Sequence, residues 1–348
     1  MKPCTQRLLF LSFIVILYAA GACAQPAEPI KTKRPAGKFD TGIAITPRNF
    51  PAHSAADVDA AFQLAADLAD HAVFIYQWHE LDMNVVRSMV EKSRKSGLKP
   101  ILGLSPTTLD QGRKELDIPP DVRRKAGKQV SFANPLIRKA FMKSARALAG
   151  LNPPYLCLAT EINFLALQRL NEYLHFASLY KEAYQSVKQV SPETKVFVSF
   201  QWEWVCILDA REPHKIKEHR KAIDIFRPQL DVVGLTTYPA PFHDSPRDLP
   251  DDYYIWMYQH IGNADEVLLM EVGWPSGGTG SEAEQQAYIQ RLPKLLGRVN
   301  VSVIAWALLH DVGLAEFDAN LNTAGLVSSE GQKKAGYTDF KNLHASSK

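Results

Sequence analysis

From residue 41 to the end of the chain, short apolar runs alternate with longer amphipathic stretches. The apolar runs predict eight strands, over residues 41–46, 72–78, 99–104, 155–160, 195–200, 231–237, 266–271 and 301–308. Several are apolar at successive positions, most clearly Val267-Leu268-Leu269-Met270 and Val303-Ile304-Ala305-Trp306-Ala307. A strand without polar alternation has both faces covered, as in a parallel sheet under helices.

The stretches between the strands have helical period. Val58, Phe62, Ala65 and Leu68 mark one face of the first, and Ser54 with Asp57 stands in capping-box position ahead of it. Asn134-Pro135 opens another, carrying Ile137, Phe141, Ala145 and Leu148. Leu170, Leu174, Ala177, Tyr184 and Val187 predict the inner face of a long helix. Ser281 and Glu284 open one that turns Tyr288, Leu292, Leu295 and Leu296 inward. Eight strand–helix units in about 300 residues have the size of a (β/α)8 TIM barrel. A doubly wound open sheet would usually carry a nucleotide-binding loop, and neither GxGxxG nor a Walker A motif occurs. One domain is expected over residues 39–348. The longest connection, residues 105–133, is polar and contains proline, and is expected to lie as a lid or rim over one barrel end.

Composition narrows the class. Of 348 residues, 46% are hydrophobic and 22% charged, which excludes a disordered or collagen-like chain. Lys and Arg number 40 against 37 Asp and Glu, a formal charge of +3. The first 24 residues hold two basic residues and no acid, so the balance without them is +1. Near-neutrality gives no electrostatic case for nucleic acid or an anionic membrane surface.

The N-terminus reads as an export signal: Lys2 and Arg7, an apolar run from Leu8 to Ala20 broken by Ser12, then Ala22-Cys23-Ala24 as a cleavage site before Gln25. The run falls short of the ~20 apolar residues of a membrane span. Ala20-Gly21-Ala22-Cys23 also resembles a bacterial lipobox, with Cys23 as the lipidated, membrane-anchoring residue. Residues 25–38 read as a proline-containing linker. Beyond Cys4 and Cys23, Cys157 and Cys206 remain, and spacing leaves their pairing open. The ten His are scattered without HExxH or CxxC, so no metal site is expected.

Catalytic groups in such barrels sit at the C-terminal ends of strands. Those ends read Tyr76-Gln77-Trp78-His79-Glu80, Thr160-Glu161-Ile162-Asn163, Gln201-Trp202-Glu203-Trp204, Thr237-Tyr238-Pro239 and Glu271-Val272-Gly273-Trp274-Pro275-Ser276, with Trp306 and His310-Asp311 on and after the eighth strand. Carboxylates and aromatics dominate. Carboxylates supply acid, base and nucleophile for glycosidic cleavage, and aromatic faces stack on sugar rings. A phosphate site would want glycine-rich loops and cations instead.

These residues resemble clan A of the glycoside hydrolases. The segment from Glu271 to Ser276 is similar to the nucleophile signature of family 17 endo-β-1,3-glucanases, E-(S/T)-G-W-P-(S/T), with Val272 as a departure. The resemblance implies an eight-fold barrel with Glu161 as acid/base at the end of strand four and Glu271 as nucleophile at the end of strand seven. It implies that Tyr238 hydrogen-bonds the nucleophile and that Trp306 floors the subsite of the cleaved sugar. Thr160 stands where the clan usually has an Asn that binds the sugar 2-hydroxyl. Glu203, between two Trp residues, is the rival acid/base or a ligand-binding group. Trp78, Trp202 and Trp274 read equally as sugar platforms or as rim packing. His79 reads as a structural or sugar-hydroxyl partner.

The expectation is an exported, retaining β-glycosidase acting on an oligo- or polysaccharide, endo-acting on β-glucan, without metal or organic cofactor. A mannan- or galactan-cleaving relative, a transglycosylase and a non-catalytic sugar-binding barrel are the alternatives.

Overall fold

A computed structural model describes residues 38–347 apart from 110–111, 206–221, 263–265 and 316. The export signal with Cys23, nearly all of the linker, and Cys206 lie outside the described residues.

Nine parallel strands form one sheet: β1 (Asp40–Ala44), β2 (His71–Gln77), β3 (Lys99–Ser105), β4 (Tyr155–Cys157), β5 (Lys195–Phe197), β6 (Ser199–Gln201), β7 (Val233–Thr237), β8 (Val267–Val272) and β9 (Val301–Trp306). Their order is β5-β4-β3-β2-β1-β9-β8-β7-β6. The two ends of that sheet, β5 and β6, are separated in the chain by Val198 alone. They are therefore one barrel strand interrupted at one residue, and the sheet is an eight-fold barrel. Backbone hydrogen bonds bridge the interruption, from Leu158 N to Phe197 O at 2.8 Å and from Ile162 N to Ser199 O at 3.0 Å.

The barrel interior is packed by inward side chains, among them Val73, Ile101, Cys157, Phe197, Leu268, Met270, Val303 and Ala305. Cys157 is a free thiol there, and burial pushes it up to about 12, so it behaves as a small apolar residue. The continuous apolar runs are explained by this interior and by the helices outside.

Those helices are α1 (Ala55–Ala66), α2 (Met83–Lys95), α3 (Pro120–Ala126), α4 (Pro135–Ala149), α5 (Asn163–Gln168), α6 (Leu170–Val190), α7 (Tyr253–Ile261), α8 (Glu282–Leu296), α9 (Ala319–Asn322) and α10 (Ala335–Ser346). The cap signals lie where the sequence puts them. Asp57 N donates to Ser54 Oγ at 3.2 Å and Ser54 N to Asp57 Oδ2 at 2.9 Å, a closed capping box. Leu136 N donates to Asn134 Oδ1, with Pro135 in the first turn. The inner face of α6 differs from expectation: Leu170 and Leu174 are exposed, and Tyr173, Phe176, Ala177, Tyr180 and Ala183 face the barrel. Of the expected face, Ala177 and Val187 are buried and Tyr184 is half-buried, while Tyr173, Phe176 and Tyr180 take the place of the two leucines.

The connection over residues 105–133 is the expected rim. It contains α3 and is fastened at the C-terminal barrel end. His79 Nδ1 lies 2.6 Å from Asp117 Oδ1, and Asp117 N donates to Pro106 O at 2.8 Å.

Candidate active site

Glu161 follows the end of β4 at φ 49, a left-handed conformation that costs a non-glycine residue energy and marks functional sites. Its backbone N–H donates to Ser199 Oγ at 3.0 Å, which holds the turn against β6. Each carboxylate oxygen has one hydrogen-bond donor. Oε1 accepts from Thr236 Oγ1 at 2.7 Å and Oε2 from Arg113 Nε at 2.7 Å.

Glu271 is aimed by a β-bulge. Pairing between β7 and β8 runs Leu235 with Leu269, then Thr236 with Glu271, so Met270 is the extra residue. The bulge re-aims the side chain after it. Tyr238 OH donates to Glu271 Oε2 at 2.6 Å. Gly273 gives Tyr238 its room: a Cβ there would lie 2.7 Å from the ring. Burial raises the Glu271 carboxyl above the usual range, and the Glu161 charge adds to this. The Tyr238 hydrogen bond and the Arg113 charge oppose it. Burial likewise pushes the Tyr238 phenol well up, so it stays a hydrogen-bond donor.

Arg113 is the residue that sequence reasoning missed. It lies on the rim connection with only 9% of its side chain exposed, and pairs with Glu161. Its Nη1 donates to Thr160 Oγ1 at 3.1 Å, and Thr160 donates to Ser105 Oγ at 3.1 Å. Thr160 thus belongs to the site, although its hydroxyl is committed to Arg113 and Ser105. An isolated Arg in a polar loop has no periodicity to announce it. Thr236 was missed as well, although its place two residues before Tyr238 is the signal that could have found it.

Glu203, the rival acid/base or ligand-binding group, is enclosed by protein. It is 2% exposed, in the wall between β6, β7 and α7. Four donors converge on it: Gln201 Nε2 at 2.7 Å, Thr237 Oγ1 at 2.5 Å, Tyr253 OH at 2.9 Å and Tyr238 N at 3.1 Å. Burial raises its carboxyl while these hydrogen bonds lower it. It therefore positions Tyr238, and through it Glu271.

The tryptophans are a correction. Trp306 is fully buried outside the barrel, against Tyr288 of α8 and Phe340 of α10, with Nε1 donating to Ala324 O at 2.8 Å. Strand alternation turns Ala305 inward and Trp306 outward. Trp274 packs on Tyr288, Trp78 on Phe141 of α4, and Trp202 on Trp256 of α7, each 1% exposed. All four are packing residues and not sugar platforms. Exposed aromatics at this barrel end include Trp204, 38% exposed and edge-on to Phe164, and Phe242 in the loop after β7. His79 holds the rim through Asp117, the structural reading of that residue. Asp311 Oδ1 accepts from Lys334 Nζ at 2.6 Å and from Gly325 N at 3.0 Å, so it secures the loop after β9.

The fold is the (β/α)8 barrel, and solved glycoside hydrolases share it. The solved structures it resembles include an exo-β-1,4-mannosidase from Opitutaceae bacterium strain TAV5, at 16% identity and a TM-score of 0.69. The match covers 92% of this chain, which spans only 62% of the mannosidase. A GH5_18 protein from Bifidobacterium longum subsp. longum ATCC 55813, solved in complex with Manβ1-4GlcNAc, matches at 16% identity and a TM-score of 0.66, over 88% of this chain and 78% of that one. A family 39 glycoside hydrolase from Bacteroides cellulosilyticus WH2 matches at 17% identity and a TM-score of 0.59, over 89% and 64%. No family model matches the sequence, and no curated protein matches it.

Proposed function

We propose that this chain is a retaining β-glycoside hydrolase acting on an oligo- or polysaccharide, with Glu271 as nucleophile and Glu161 as acid/base. The observation that carries this reading is the meeting of two glutamates from the β4 and β8 ends: Thr236, the strand partner of Glu271, donates its hydroxyl to Glu161 Oε1 at 2.7 Å. Glu271 attacks the anomeric carbon while Glu161 protonates the leaving oxygen. Glu161 then takes a proton from water, which hydrolyses the glycosyl-enzyme. Tyr238 holds the Glu271 oxygen in place for attack.

β-Mannosides are the first substrates to try, because an exo-β-1,4-mannosidase and a protein holding Manβ1-4GlcNAc share the fold. β-1,3-Glucan comes second, supported by the Glu271–Ser276 motif. Hydrolysis of β-mannan, β-1,3-glucan and galactan oligosaccharides, followed by proton NMR before mutarotation, tests the reading. The first product keeps the β configuration. An initial α-anomer sinks the assignment of Glu271. Export and anchoring through Cys23 belong to the same reading: Cys23→Ser releases the protein from membranes without changing turnover, and an unaltered distribution refutes the anchor.

A further inference from the structure

The near-neutral charge of the chain conceals a strong separation. Residues 83–150, which hold α2, the rim connection and α4, carry 15 Lys and Arg against 5 Asp and Glu, while the rest of the chain carries 25 against 32. Few of those acids are free to offset the surplus. Asp117 is buried against His79, Asp121 pairs with Lys125 at 3.7 Å and Glu115 with Arg169 at 3.9 Å. Many of the bases stand alone. Lys95 on α2, Lys139 and Lys143 on α4, and Lys114, Arg124 and Lys128 on the rim are exposed and have no carboxylate partner among the described residues.

The fold gathers these residues onto one part of the surface. The last turn of α2 meets the turn after α4, where Arg94 donates to the carbonyls of Leu151 and Asn152. Trp78 holds α4 on the barrel, its Nε1 donating to Ser144 Oγ at 3.0 Å, and α3 of the rim packs on α4. Lys139 and Lys143 stand four residues apart on the outer face of α4, with Cβ atoms ~5–6 Å apart. Like charges at that spacing repel, and an anion laid over them relieves the repulsion.

The shape of the surface selects the kind of polyanion. The bases lie on the side of the barrel, along α2 and α4, and on its C-terminal end, along the rim. A flat bilayer reaches one of those surfaces at a time, whereas a flexible chain bends over the edge and reaches both. Single-stranded nucleic acid is held by aromatic residues that stack on its bases. The two aromatic residues of 83–150, Phe132 and Phe141, are buried. A glycan that carries carboxylates needs only the cations. The rim also borders the two glutamates, so a chain on this surface lies beside the candidate active site.

We propose that the α2–α4 wall and the rim form a binding surface for an anionic polysaccharide, separate from the pair Glu161 and Glu271. The surface goes beyond the hydrolase reading and does not depend on it, because it holds the polymer whichever bond is cut.

The test uses alginate and polygalacturonate as probes, neutral β-1,3-glucan as control, and phosphatidylglycerol vesicles and DNA as competing polyanions. Full-length wild-type protein binds the two acidic polysaccharides at about 20 mM salt and loses about tenfold or more in affinity by about 200 mM, as screening and counterion release dictate. Lys139→Glu/Lys143→Glu on the wall and Arg124→Glu/Lys128→Glu on the rim each lower that affinity about tenfold, with the melting temperature and the turnover of neutral β-glycosides unchanged. Lys294→Glu/Lys341→Glu, exposed on α8 and α10, makes the same charge change elsewhere and alters affinity by less than about twofold. Where a Glu pair fails to fold, the Gln pair at the same positions decides, with a smaller loss in the same direction. No binding at low salt overturns the proposal, as does binding that either pair leaves unchanged or that the control pair lowers equally. Tighter binding of vesicles or DNA than of both polysaccharides also overturns it. If no β-glycoside is cut, the hydrolase reading fails, and the binding measurements still decide the surface.

Discussion

Tyr238 joins the two layers of the site: its hydroxyl donates to Glu271 Oε2 at 2.6 Å, while Glu203 accepts from its backbone N–H at 3.1 Å. A carboxylate inside the barrel wall thus fixes the strand end that orients Glu271. The phenol, the glutamate and the space left by Gly273 form one unit.

Removing the phenol hydroxyl isolates that unit. Tyr238→Phe deletes a hydrogen bond to a charged group, worth about 1.5–3 kcal/mol, so turnover falls roughly tenfold to a hundredfold. The nucleophile must be ionised, and the Tyr238 hydrogen bond favours its ionised form. Without it the Glu271 carboxyl rises further, and the acidic limb of the kcat/KM profile moves to higher pH. An unmoved limb contradicts the contact.

Glu271→Ala abolishes most turnover, by several orders of magnitude, with the melting temperature retained, because no neighbouring group can replace the nucleophile. Glu161→Ala slows substrates with poor leaving groups far more than activated aryl glycosides, which need little protonation. Equal losses on both substrate types refute Glu161 as the acid.

Glu203→Ala is a stability variant first. It leaves four donors facing an empty buried site, at a cost on the order of 3 kcal/mol. Thermal denaturation reads this as a fall of several degrees. Turnover drops through misplaced Tyr238, equally for good and poor leaving groups. A loss confined to poor leaving groups would make Glu203 an acid after all.

Two tryptophans separate packing from binding. Trp306→Ala removes a fully buried ring between α8 and α10 and destabilises by about 3–5 kcal/mol. Trp204→Ala leaves the melting temperature within a degree or so, since surface changes are worth about ±0.5 kcal/mol, and raises KM for oligosaccharides severalfold. The opposite pattern refutes the assignment of both.

The barrel and the positions of Glu161, Glu271 and Tyr238 were legible in the sequence. Uninterrupted apolar strands require cover on both faces, capping residues mark where helices begin, and strand ends locate the chemistry. The direction in which each side chain leaves the barrel was decided only by the tertiary structure. Trp306, within an apolar run, and Trp274, just after one, look like site residues, yet both pack among the helices against Tyr288. Glu203 lies between two tryptophans in the sequence, and its role became visible only with Thr237, Tyr238 and Tyr253 from β7, the residue after it and α7 around it. Arg113 is the extreme case. It stands 48 residues from Glu161 along the chain, in a connection without periodic pattern. Local patterns report which residues are buried and where elements begin. They carry no record of which cation closes on which carboxylate, because that contact exists only once the barrel has brought two distant loops to the same end.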